Sequence, residues 1–120
     1  MTEQAHELAL AVAQTLDAKK AEDIQLIDLA GLSILADCFV VASGQNPQQV
    51  HAMCDEVLEM LKKRGMNAVR MDGYNAGRWV VMDLGDVIVH VFHQEERAFY
   101  HLERLWNDGT NTTAYAPVKE

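Results

Sequence analysis

Basic side chains are scarce in this sequence. Its 120 residues hold 10 Lys and Arg against 18 Asp and Glu, a formal charge of −8. Binding to bare nucleic acid needs clustered Lys and Arg to neutralise phosphate, so direct, sequence-specific contact with nucleic acid is not expected. An acidic chain is steered toward basic partners, although acidity also serves plain solubility, and charge alone leaves both readings open. Cysteine is nearly absent: Cys38 and Cys54 both lie in apolar segments. No paired spacing suggests a metal site or a disulfide framework, and buried free thiols are expected. No run reaches the roughly 18 apolar residues of a membrane span. The start, "MTEQAHELALAVAQTLDAKK", has neither the basic opening nor the long apolar run of a signal peptide. A cytoplasmic protein with no membrane partner is expected. There is no Gly-rich phosphate loop, no internal repeat and no Asp-x-Asp.

Apolar residues are abundant, at 49%. A chain of this length suits one domain, and folding buries roughly two-thirds of its surface. Residues 3–19 read as a helix capped by Thr2, with Leu8, Val12 and Leu16 four apart. Residues 24–30 and 37–44 read as strands, joined by a turn or short helical piece, "GLSILA". The clearest helix is 46–65: Asn46 caps it, Pro47 opens it, and Val50, Met53, Cys54, Val57, Leu58 and Leu61 form one stripe. Gly65 suits a left-handed stop. A short strand at 67–73, a loop at 74–77, strands at 78–84 and 86–93 and a helix at 95–106 follow. The expected fold class is α/β: a single domain over 1–107 with a mixed sheet of about five strands flanked by helices. The polar stretch 108–120 is expected to be a disordered tail.

The stretch "RWVVMDLGDVIVHVF" at 78–92 carries the candidate site. With Leu84-Gly85 as a two-residue turn, Asp83 faces Asp86, Met82 faces Val87, Val81 faces Ile88, Val80 faces Val89 and Trp79 faces His90. Alternation gives one aliphatic face of Val80, Met82, Val87, Val89 and Val91, which should be core. The other face mixes Trp79, Val81, Asp83, Asp86, Ile88, His90 and Phe92. Unpaired carboxylates are costly to bury, so its acidic end should meet water or a partner. A Trp beside acids resembles an interface hot spot, and a helix covering the face is the competing reading.

An enzyme reading is weaker. Asp83 and Asp86 could be an acid–base pair or a cation site, but two acids beside a turn are usually turn chemistry. A nucleotidyltransferase needs a Gly-Ser turn and two aspartates separated by one residue to hold magnesium. "ASGQN" partly fits the first element, and nothing supplies the second. His90 and His93 point to opposite faces of one strand, and His6, His51 and His101 sit on separate helices, where solvation is expected. No metal and no cofactor is expected.

"DIQLIDLAGLSILADCFVVASGQN" and "MDGYNAGRWVVMDLGDVIVHVFHQEERAFYHLERLW" resemble the ribosomal silencing factor, or Iojap, family over about residues 5–107. The strongest match is "WVVMDLGDVIVHVF" followed by "ERAFYHLERLW". The resemblance implies a fold like a nucleotidyltransferase palm without its catalytic residues. It also implies binding to the large ribosomal subunit through large-subunit ribosomal protein fourteen, which blocks joining to the small subunit and represses translation when nutrients are scarce. Organellar members act in large-subunit assembly. The family pattern matches Asp37, Gly73, Trp79, Asp83, Gly85, Asp86, His90, Tyr100, Leu105 and Trp106. In "AGLSILAD", Leu32 stands where a small or basic residue is commoner, and Ala36 where a hydroxyl is. The partner-binding residues expected are Trp79, Asp83, Asp86, His90 and Tyr100, with Glu95 and Glu96 as further acids. A homodimer using the same face is compatible with the pattern.

Overall fold

The computed structural model describes residues 1–34, 36–68, 70–100 and 111–115, with 98–100 described by their backbone. The order is α1 (Glu3–Ala18), β1 (Glu22–Asp28), β2 (Cys38–Gly44), α2 (Pro47–Lys63), β3 (Arg70–Asp72), β4 (Trp79–Asp83), β5 (Val87–His93), α3 (Gln94–Tyr100) and β6 (Thr112–Ala114). The α/β class and the mixed sheet are as expected. The sheet has six strands rather than about five, in the order β3-β4-β5-β2-β1-β6. Among the described residues only β2 and β5 run parallel, and the other pairings are antiparallel.

The extra strand is a correction. β6 lies in the stretch expected to be disordered, and it pairs with β1 through Gln25, Leu26 and Ile27. Its backbone finds partners on an otherwise open strand edge, which composition does not report. The remainder of that stretch, like Leu102, Leu105 and Trp106, lies outside the described residues.

Helix ends follow local chemistry. The Thr2 hydroxyl accepts from the Ala5 amide at 3.1 Å, and Asn46 Oδ1 accepts from the Gln49 amide at 2.8 Å. α2 ends with Gly65 at φ +73°, the Met66 amide donating to Leu61 O at 2.8 Å and the Gly65 amide to Lys62 O at 3.0 Å. These are the two bonds of a Schellman stop. Its stripe of Val50, Met53, Cys54, Val57 and Leu61 is buried, as the spacing requires.

Two cores flank the sheet. α1 and α2 cover one face, where Leu8, Val12, Leu16 and the α2 stripe meet Val40, Val80, Met82, Val87, Val89 and Val91. A smaller cluster of Ile27, Leu29, Ala36, Phe39, Val41 and Phe92 occupies the opposite face, with Trp79 and Ile88 packed against it. β2 is buried throughout because it is central and covered on both sides.

Candidate functional site

The hairpin β4–β5 assigns its side chains to faces as the alternation requires, but its register is shifted by two. Asp83 faces Ile88, Met82 faces Val89, Val81 faces His90, Val80 faces Val91 and Trp79 faces Phe92. The turn is Gly85-Asp86, closed by the Leu84 amide donating to Val87 O at 2.9 Å. Two forces set this register. Leu84 is buried in the main core, so it cannot be spent in a turn. Gly85 takes φ +95°, and a glycine at the first central position suits a type II′ turn. A shift of two residues preserves the faces, which is why the face assignment holds while the pairs do not.

Within the turn, Asp83 Oδ1 accepts from the Gly85 amide at 2.8 Å. Turn chemistry therefore explains part of this carboxylate. Asp86 is exposed, and its carbonyl accepts from the amides of Asp37 and Cys38 at 2.8 and 3.2 Å. That contact brings the hairpin turn against the start of β2, placing Asp37, Asp83 and Asp86 at one end of the sheet. Among the described residues no three His, Cys, Asp or Glu lie together in a way that could hold a metal ion.

The mixed face divides into two zones. Toward β1 and β2 it is closed: Ile27, Val41 and Phe92 are fully buried, and His90 is 6% exposed. Toward β4 it is open, with Trp79, Val81, Asp83 and Ile88 half-buried. Trp79 stands at the boundary. Its ring stacks on Phe92 at 5.1 Å between centroids, and its Nε1–H donates to His90 Nδ1 at 3.1 Å. His90 sits diagonally from Trp79 rather than opposite, still within side-chain reach.

That bond fixes the His90 tautomer. Nδ1 accepts, so the ring proton is on Nε2, which is buried with no partner among the described residues. The Phe39 ring meets the imidazole edge-on at 4.6 Å. Burial lowers the His90 pKa from 6.5 to about 4, so the ring is neutral near pH 7. Burial likewise pushes the Cys38 and Cys54 thiols up to about 12, which makes them poor nucleophiles.

Of the other expected contacts, Glu96 already accepts from Arg78 Nη1 at 2.8 Å, and Glu95 is exposed. Tyr100 ends α3, and its side chain lies outside the described residues. His51, expected to be solvated, is instead a clamp. Its Nε2 donates to Tyr74 O at 2.6 Å and its ring stacks on Tyr74 at 4.6 Å, while Tyr74 Oη donates to Asp55 Oδ1 at 2.7 Å. These contacts tie the 73–78 loop, and with it the start of β4, to α2.

Sequence reading missed Arg97. It is 5% exposed, donates to Asp23 O at 2.6 Å and Ser43 Oγ at 2.9 Å, and pairs with the Asp23 carboxylate at 3.3 Å. Asp23 holds φ +51° where β1 bulges between Glu22 and Gln25. The guanidinium thus fastens α3 to an irregular strand start, and no short-range pattern announces it. Arg97→Met keeps the stem but removes the donors, so it should cost on the order of 2 kcal/mol, read as a lower urea midpoint.

The comparisons with known proteins agree with this geometry. The family profile described as "Ribosomal silencing factor during starvation" matches residues 2–120. The ribosomal silencing factor RsfS of Halalkalibacterium halodurans is 45% identical over 101 residues, 84% of this chain and 86% of that protein. A crystal structure of a Chromobacterium violaceum protein superposes with a TM-score of 0.82 at 35% identity, covering 88% of this chain and 87% of that one. A mouse relative, "Mitochondrial assembly of ribosomal large subunit protein 1", is 33% identical over 91 residues, 73% of this chain and 40% of that protein. The chain belongs to the ribosomal silencing factor family.

Proposed function

We propose that this protein binds the large ribosomal subunit through large-subunit ribosomal protein fourteen and blocks joining to the small subunit by occupying space. It acts in the cytoplasm, without chemistry of its own, and represses translation when nutrients are limiting. The observation that carries this reading is the mainly acidic end of the mixed face, where Arg70 of β3 stands opposite Asp83 and is paired with Asp72 at 3.0 Å. No Lys or Arg occurs in residues 21–61 or 79–96, the segments that supply β1, β2, β4 and β5. Asp37, Asp83 and Asp86 lie there, with the half-buried Trp79 at the far end of β4, and a basic ribosomal protein is a natural counterpart for the acids. The mouse relative's name favours a second reading, in which the same contact serves assembly of the large subunit.

The test is cosedimentation with isolated large and small subunits. Comigration with the large subunit and loss of the joined peak are expected, and binding to neither would sink the reading. Trp79→Ala is a poor probe, because it also strips packing from Phe92. Asp86→Lys is better, since the residue is exposed on a turn. It should weaken large-subunit binding on the order of tenfold at low salt and less at high salt, with an unchanged unfolding midpoint. Equal binding at both salt concentrations would remove Asp86 from the interface.

A further inference from the structure

The β1–β2 loop carries an unexplained surface. Leu32 is 47% exposed and Ile34 103% exposed, and they are the exposed large hydrophobic residues among those described. Both stand on a bonded base. The amides of Leu32 and Ser33 donate to Leu29 O at 2.8 and 3.0 Å, and the Leu29 amide donates to Asp37 O at 2.8 Å. Leu29 and Ala36, at the two ends of the loop, are buried in the smaller core. The tip is therefore an apolar knob on a fixed pedestal.

We infer that this tip, Leu32 and Ile34 together, inserts into an apolar pocket rimmed by Lys and Arg on the ribosomal protein that this chain binds. The inference rests on the proposed function and adds a specific contact to it. The Asp37 amide is bonded to Asp86 O, so the hairpin turn with its acids lies directly beside the foot of the knob. Asp28, at the other foot, is already paired with the N-terminal ammonium at 3.1 Å, so the acids that face a partner are those of the hairpin turn. An apolar tip beside the exposed Asp86 and the neighbouring Asp37 fits a greasy pocket with a basic rim. A second copy of this chain is a poorer occupant, because a two-fold contact through the knob would set the same acids against each other. The preformed base limits the ordering cost of docking, which lets two side chains contribute strongly.

The experiment compares wild type, Ile34→Ser and Ile34→Leu for binding to purified large subunits, with sedimentation equilibrium of each free protein alongside. Ile34→Ser leaves charge unchanged and removes a side chain that touches only solvent, so its unfolding midpoint should match wild type. Its subunit affinity should fall about 30-fold, as for a central hot spot, and Ile34→Leu should restore most of it. Undiminished binding by Ile34→Ser, with wild type bound, overturns the knob and leaves the ribosomal reading standing. Wild type that binds no large subunit overturns both. A change confined to self-association, with subunit binding intact, makes a second copy the occupant and also overturns the inference.

Discussion

Gly73→Ala is expected to lower stability by roughly 3–4 kcal/mol, from a left-handed conformation and a steric collision acting together. Gly73 holds φ +83°, and a Cβ there would stand 2.2 Å from Trp79 O. The obstacle is backbone rather than a flexible side chain. It belongs to the first residue of β4, which is paired with Phe92 across the hairpin. Relief requires moving either the loop or the strand, and the loop is tied to α2 through Tyr74 with His51 and Asp55. Gly31 supplies the internal control. It has φ +81° and nothing within 4 Å of its Cβ position, so Gly31→Ala should show conformational strain alone, about 1–2 kcal/mol. Urea denaturation of both variants decides the matter. Equal losses would mean that the contact with Trp79 contributes nothing. Because the displaced peptide carries Trp79, Gly73→Ala should also weaken large-subunit binding at temperatures where it remains folded.

How much of this was legible in the sequence depends on how local each cause is. The α2 stripe, its Asn46 cap and the Gly65 stop are set within a few residues, and all three were readable. The two hairpin faces were readable because alternation survives a shift of two residues. The register was not, because it turns on Leu84, whose burial against the main core is a tertiary fact. Arg97 lies further from any local signal. Its partners Asp23 and Ser43 are 74 and 54 residues away, and the bulge it secures has no mark beyond an Asp able to adopt positive φ. β6 was hidden for a related reason, since an edge of β1 organises a polar Thr-Thr-Ala run that carries no hydrophobic pattern. The knob did carry a signal: Leu and Ile in a Gly-containing turn are out of place unless something covers them.

The mixed face, which sequence reading left divided between core and interface, has a buried zone and a half-buried zone, and His90 marks the join. Stability should therefore fall with acid in a defined window. The folded-state pKa of His90 is depressed to about 4, while the unfolded chain titrates near 6.5. Between those values the unfolded chain takes up a proton that the folded protein refuses. The contribution is complete above pH 6.5, is lost as pH falls, and is gone below about 4, where both states are protonated. It amounts to about 3 kcal/mol in all, of which roughly 2 kcal/mol should be lost by pH 5. The physical reason is visible around the ring. An imidazolium would point Nδ1–H at the Trp79 Nε1–H that it now accepts, amid Phe39 and Phe92, with no carboxylate in contact among the described residues. His90→Gln cannot ionise, so urea midpoints for wild type and this variant should diverge in slope between pH 7 and pH 5, with wild type the steeper. Direct NMR titration is the sharper measurement: an imidazole signal for His90 moving near pH 4 supports a sealed Trp79–His90 contact. A midpoint near 6.5 would mean that water reaches the ring and that this part of the face is open to a partner.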